Sequence, residues 1–141
     1  MTNVSLAQSY LLKARSRLKI LPVLLEEGAF SDVVREAQEI VELALKGMLR
    51  QVGVEPPKWH DVGGFLLEFA DRFPAVERAR LERLAEISTR LRKEREFSFY
   101  GDIDFIPTEQ YSREDAQQAI EEAQTTVEAA ARTIPGSSDV A

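Results

Sequence analysis

Residues 31–53 read SDVVREAQEIVELALKGMLRQVG, and their spacing decides the fold class. Val34, Ala37, Val41, Ala44, Leu45 and Met48 recur at three- and four-residue steps, which puts them on one side of an α-helix. Glu36, Glu39 and Glu42 fall on the other side, as expected of a solvated face. Ser31 stands where an N-cap is expected, and Gly53 supplies the stop.

The same pattern extends outward in both directions. Upstream, Leu6, Tyr10, Ala14, Leu18, Leu21 and Leu25 predict a helix from about Ser5 to Glu27, with Pro22 kinking it and Gly28 ending it. The link from Gly28 to Phe30 is so short that the two helices must form an antiparallel hairpin. Downstream, Pro56 and Pro57 make Val54 to Trp59 a rigid connector. A shorter helix is expected from about Asp61 to Arg72, burying Phe65, Leu66 and Phe69 and ended by Pro74. Gly63-Gly64 weakens its first turn and permits close helix approach. A fourth helix runs from about Val76 to Phe97 with Leu84, Ile87 and Leu91 inward. Gly101 to Tyr111 reads as a loop. Ser112 with Asp115 forms a capping box, opening a last helix whose inner face is Ala116, Ala119, Ile120, Ala123, Val127, Ala130 and Ile134. The expectation is an all-α, up-and-down bundle of about five helices, one domain over residues 1–134, with a disordered tail at 135–141.

Composition narrows the function classes. Among 141 residues, 44% are hydrophobic and 30% charged, the balance of a globular domain. No apolar run approaches the ~20 residues needed to cross a bilayer. Met1 to Tyr10 lacks the order of a signal peptide, and the chain has no cysteine, so disulfides and thiolate metal sites are excluded. A cytoplasmic location is expected. The net charge of −6 argues against non-specific nucleic-acid binding, and 8% aromatic residues provide no stacking ladder for a single strand. One histidine, His60, leaves no basis for a zinc site, and no cofactor or metal is expected. Asp102, Asp104 and Glu109 lack the ligand spacing of a calcium loop and read as a solvated turn.

Several segments in order resemble the HEPN domain family. The first hairpin carries Ala7, Tyr10-Leu11 and Ala14, then Leu25, Gly28, Phe30 and Val33, and closes on Lys46 within the apolar run Val41 to Leu49. Pro56-Pro57-Lys58-Trp59-His60-Asp61 is similar to the family's connector, and Leu91 to Asp102 occupies the place of its motif segment. Pro107, Tyr111 and Asp115-Ala116 resemble one subset of the family. The resemblance implies a four-helix-bundle core, commonly a homodimer, and a minimal nucleotidyltransferase partner in a toxin–antitoxin-like setting. Many catalytic members are metal-independent ribonucleases whose motif is an arginine, a polar residue and a histidine a few positions on. Here Arg95-Glu96 supplies the first two, but Tyr100, Gly101 and Asp102 stand where the histidine should fall.

That departure matters chemically. Proton exchange near neutral pH suits histidine, with a pKa near 6.5, and not tyrosine, near 10. Arg95 retains a planar fork of donors suited to phosphate. The expected site therefore comprises Arg92, Arg95, Glu96 and Tyr100 as phosphate or nucleotide ligands, with Arg95, Tyr100, Asp102 or a displaced His60 as the candidates for any residual catalysis. Arg95 continues the row Leu84, Ile87, Leu91, so it needs a partner: a glutamate such as Glu42 or Glu94, or a phosphate. The basic run Arg90, Arg92, Lys93 and Arg95 favours the phosphate. Three functions compete: a non-catalytic or weakly catalytic binder of RNA or nucleotide, a plain dimerising module, and a ribonuclease using Arg95.

Overall fold

In the computed structural model, residues 3–58 and 61–136 are described, apart from the side chains of Asn3, Val4 and Glu96. Among them run seven α-helices: α1 (Asn3–Leu18), α2 (Leu21–Glu26), α3 (Phe30–Gln51), α4 (Val62–Glu68), α5 (Arg78–Phe99), α6 (Pro107–Gln110) and α7 (Arg113–Thr133). A 3-10 turn, Ala70–Arg72, follows α4, and the sole β-type pairing is an isolated bridge between Asp102 and Phe105. The all-helical class expected from the periodicity is what the chain adopts.

Helix α3 is the central member, packed against α1, α5 and α7. Its apolar side is fully covered: Val33, Ala37, Ile40, Ala44, Leu45, Met48 and Leu49 all have no accessible surface. The facing surfaces are Ala7, Leu11 and Ala14 of α1, Leu84, Ile87 and Leu91 of α5, and Ala116, Ala119, Ala123 and Ala130 of α7. The small residues of α7 let its backbone approach α3 closely, so large side chains on one helix meet alanines on the other. Where α1 passes α3, Gly47 plays the same part: a Cβ there would lie 3.4 Å from the Ala7 carbonyl oxygen.

The count of about five helices is corrected to seven, for two local reasons. Pro22 does not kink a continuous helix. The chain leaves α1 at Leu18, turns through Lys19 and Ile20, and starts α2 with Pro22 in its first turn. Proline has no N–H to give and clashes with the carbonyl four residues back, but a first turn needs neither. Residues 101–111 are also not wholly a loop, since Pro107 opens the single turn of α6.

Other boundaries shift similarly. Ser31 is not the cap of α3: the helix begins at Phe30, and Ser31 is buried in its first turn. Asp61 is the cap of α4, its Oδ1 accepting from the Gly63 N–H at 3.0 Å. Helix α4 ends at Glu68, earlier than Arg72, and α5 runs on to Phe99. Ser112 and Asp115 form the expected reciprocal capping box. At the far end the Pro135 carbonyl accepts from Gln8 Nε2 at 3.0 Å; the rest of the expected tail, residues 137–141, lies outside the described residues.

Candidate functional site

The last two turns of α5 leave the core beside the first half of α3, and the candidate residues gather there. Leu91 is fully buried, while Arg95, one turn on, has a half-exposed side chain. Its Nη2 lies 3.2 Å from Glu39 Oε1 on α3. The partner is thus neither Glu42 nor Glu94. Which rung of α3 meets Arg95 depends on the axial offset of the two helices, and Glu94 turns the other way to accept from the Tyr111 hydroxyl at 2.5 Å.

Glu39 has a second cation. Arg35 Nη1, one turn back on α3, lies 3.7 Å from the same oxygen, Oε1. Alongside, Glu36 accepts from Arg17 of α1 at 2.6 Å, a bond that raises the affinity of the Arg17 guanidinium for its proton. Glu36 and Glu39 are therefore not a freely solvated face: their side chains are only 17% and 27% exposed, and each is held by arginine. Three guanidinium groups here share two carboxylates, leaving the cluster positive.

Aromatic side chains flank the cluster. The Arg35 guanidinium sits 4.5 Å from the Phe99 ring centroid, and Phe99 meets Tyr100 edge-to-face at 4.7 Å. Tyr100 is 76% exposed, so its ring is open to a ligand. Phe97, Phe99, Ile103 and Ile106 are also substantially exposed, giving the end of α5 and the segment after it an apolar surface.

Immediately beyond Tyr100 the chain reverses. Gly101 has φ +71°, and a Cβ there would stand 2.4 Å from the Phe105 carbonyl oxygen, so only glycine fits. Asp102 and Phe105 exchange backbone hydrogen bonds, and Asp102 Oδ1 accepts from the Ile103 N–H at 2.6 Å. One oxygen of the Asp102 carboxylate is thus engaged within its own turn. Among the described residues, no group of three metal-ligating side chains converges. Phe105 then packs between Phe97 and Tyr111, tying the segment to α5. Burial, then the bond to Glu94, pushes the Tyr111 phenol well above its ordinary ionisation. Under this segment lies a cavity of about 220 Å³ lined by Val34, Arg90, Glu94, Phe105 and Tyr111.

The basic run Arg90 to Arg95 is not one patch. Successive helical positions point 100° apart, and the side chains separate accordingly. Arg90 turns to α7 and, with Arg83 at 3.3 Å, clasps the buried Glu122. Lys93 lines the open groove between α4 and α5 with Asp61 and Thr89. Arg92 is half-buried, and Arg95 faces α3. So, of the expected set, Arg95 and Tyr100 are linked through Glu39, expected on a solvated face, and through Arg35 and Phe99, which were not among the expected residues. A cation four residues before a glutamate on α3 was the one signal that pointed to Arg35 and Glu39. The Glu96 side chain and His60 lie outside the described residues.

Comparison with curated proteins gives no match, and comparison with solved structures gives none. A family model described as HEPN domain matches residues 7–133.

Proposed function

The chain belongs to the HEPN domain family, and from that premise we propose that it is a non-catalytic or weakly catalytic member that binds phosphates of RNA or nucleotide. The observation that carries this reading is the convergence of Arg35 and Arg95 on one acceptor atom, with Arg35 packed on Phe99 and Phe99 on the exposed ring of Tyr100. Two guanidinium groups within 3.7 Å of one carboxylate oxygen offer donors for a phosphate, and an exposed tyrosine ring one aromatic further on suits a base. Arg92, on the same helix, belongs to the proposed site as an outlying cation.

Cleavage of RNA without metal needs a proton-exchanging group, and the chain's single histidine precedes α4, far along the sequence from Arg95. Asp102 is committed to its turn. Both features favour binding over turnover. The reading includes a homodimer, whose interface is the apolar surface of Phe97, Phe99, Ile103 and Ile106, and a minimal nucleotidyltransferase as the functional partner.

The test uses purified protein with labelled single-stranded RNA and with ATP, in EDTA and in magnesium, beside Arg95→Ala and Arg35→Ala. Binding without cleavage, weakened in both variants, is the expected outcome. RNA cleavage that vanishes in Arg95→Ala makes the protein a ribonuclease, and no binding of either ligand leaves a plain interaction module. Sedimentation of wild type against Ile103→Asp, at a position 88% exposed, reads the dimer: a wild-type monomer removes that part.

A further inference from the structure

We propose that Glu39 is a built-in stand-in for a phosphate, and that the cradle it occupies selects a terminal phosphomonoester over an internal phosphodiester. The inference rests on the phosphate-binding reading above and adds what the site discriminates.

Arg95 at 3.2 Å and Arg35 at 3.7 Å address the same atom, Glu39 Oε1, so that oxygen sits where a ligand's phosphate oxygen must sit. Neither cation is idle in placement: Arg35 lies over the Phe99 ring and Arg95 emerges from the last buried rung of α5. Their positions are set without the ligand. A ligand enters only by exchanging with the carboxylate.

Charge then decides which ligand wins. An internal phosphodiester carries one negative charge, as Glu39 does, so the exchange is neutral and gains little. A terminal phosphate carries about −1.5 to −2 near neutral pH and offers three acceptor oxygens. Against two guanidinium groups it displaces a carboxylate that a diester merely matches. The displacement is inexpensive, because a partly exposed ion pair contributes at most about a fivefold factor in an equilibrium, and all three side chains are partly open, at 28%, 27% and 48%.

The aromatic surroundings agree. Tyr100 is the most exposed ring here, at 76% against 44% for Phe97 and 48% for Phe99, which pack on Phe105 and Arg35, and the neighbouring exposed side chains at 103 and 106 are aliphatic. One base is accommodated, not a run of them. A net charge of −6 likewise disfavours a long polyanion lying across the surface. The chemistry is that of one nucleotide with a free phosphate, either a mononucleotide or the end of an RNA.

Four probes separate the possibilities with the full chain: a 5′-phosphorylated ribo-oligomer, its 5′-hydroxyl twin, AMP and adenosine. The phosphorylated oligomer is expected to bind about tenfold or more tighter than its twin, as charge-assisted bonds to an extra anionic group require. AMP should compete and adenosine should not. If the phosphorylated oligomer binds and AMP does not compete, the source is an RNA end. Glu39→Gln, which keeps the shape and removes the charge, should tighten both oligomers by up to about fivefold, since each must displace the same carboxylate. Glu39→Asp, which keeps the charge, should leave both affinities near those of wild type. Equal binding of both oligomers by wild type, lost in Arg95→Ala, overturns end selection and leaves the phosphate site standing. Weaker binding of every probe by a folded Glu39→Gln protein overturns the stand-in and makes Glu39 a positioning residue. Binding of no probe overturns the phosphate reading itself.

Discussion

Gly63 and Gly64 are adjacent in α4, yet the same substitution should act on them with opposite sign. A Cβ on Gly63 would stand 2.8 Å from Ala85 Cα, 3.1 Å from its carbonyl oxygen and 3.2 Å from its Cβ, whereas one on Gly64 meets nothing within 4 Å. Replacing glycine by alanine inside a helix gains about 0.5–1 kcal/mol in either position. Because that gain enters both variants, it cancels in their difference. What remains is the overlap with the backbone of α5, which cannot move aside as a flexible side chain does, and overpacking of that kind costs about 1–3 kcal/mol. Gly64→Ala should therefore be more stable than wild type by roughly 0.5–1 kcal/mol, and Gly63→Ala less stable by about 1. Urea unfolding reads the pair directly: with a slope of about 2 kcal/mol/M, the two midpoints should lie roughly 0.5–1.5 M apart at equal slopes. Coincident midpoints would refute the reasoning, since α4 would then not be seated on Ala85.

Other expectations follow from the same contacts. Arg95→Ala should cost about 1 kcal/mol or less, as a half-exposed pair does, whereas Leu91→Ala one turn earlier should cost about 2–5 kcal/mol. Denaturation midpoints compare them, and a large loss at Arg95 would make it a structural residue. Glu122→Ala should destabilise by about 1–3 kcal/mol, less than a fully buried pair, because Arg83 and Arg90 are 51% and 38% exposed and regain water. Equal stability of that variant would show that the clasp contributes nothing. The Tyr111 phenol ionises less readily folded than unfolded, so its contribution is complete below the unfolded value near 10 and declines as pH rises past it. Stability measured at pH 8 and at pH 10.5 should fall more in wild type than in Tyr111→Phe; equal falls would refute the assignment.

How much of this was legible in the sequence depends on whether the cause is local. The α3 stripe and the Ser112–Asp115 box are local, and the chain obeys them. The split at Pro22 is also local but ambiguous in sequence: a proline that would kink a long helix can equally begin a short one. The site was half legible. Arg95 stood out because it follows Leu84, Ile87 and Leu91 in one row, and a cation in line with a core face must be answered. Its partner did not stand out, because Glu36, Glu39 and Glu42 are alike in sequence and only the offset between α3 and α5 picks Glu39. Arg90 to Arg95 appeared as one basic patch for a related reason, since neighbours in a helical sequence are not neighbours on its surface. Glu122 gave no warning: a glutamate in a small-residue helix looks solvated until two arginines from another helix cover it.

That clasp has a mechanical consequence. Arg83 and Arg90 are two helical turns apart on α5 and hold one fixed carboxylate of α7 between them, like a pin between two teeth of a rack. Sliding α5 along its axis in either direction brings one arginine nearer only by pulling the other away. The clasp thus opposes a piston-like slide of α5 and favours one height for the delivery of Arg95 and Tyr100.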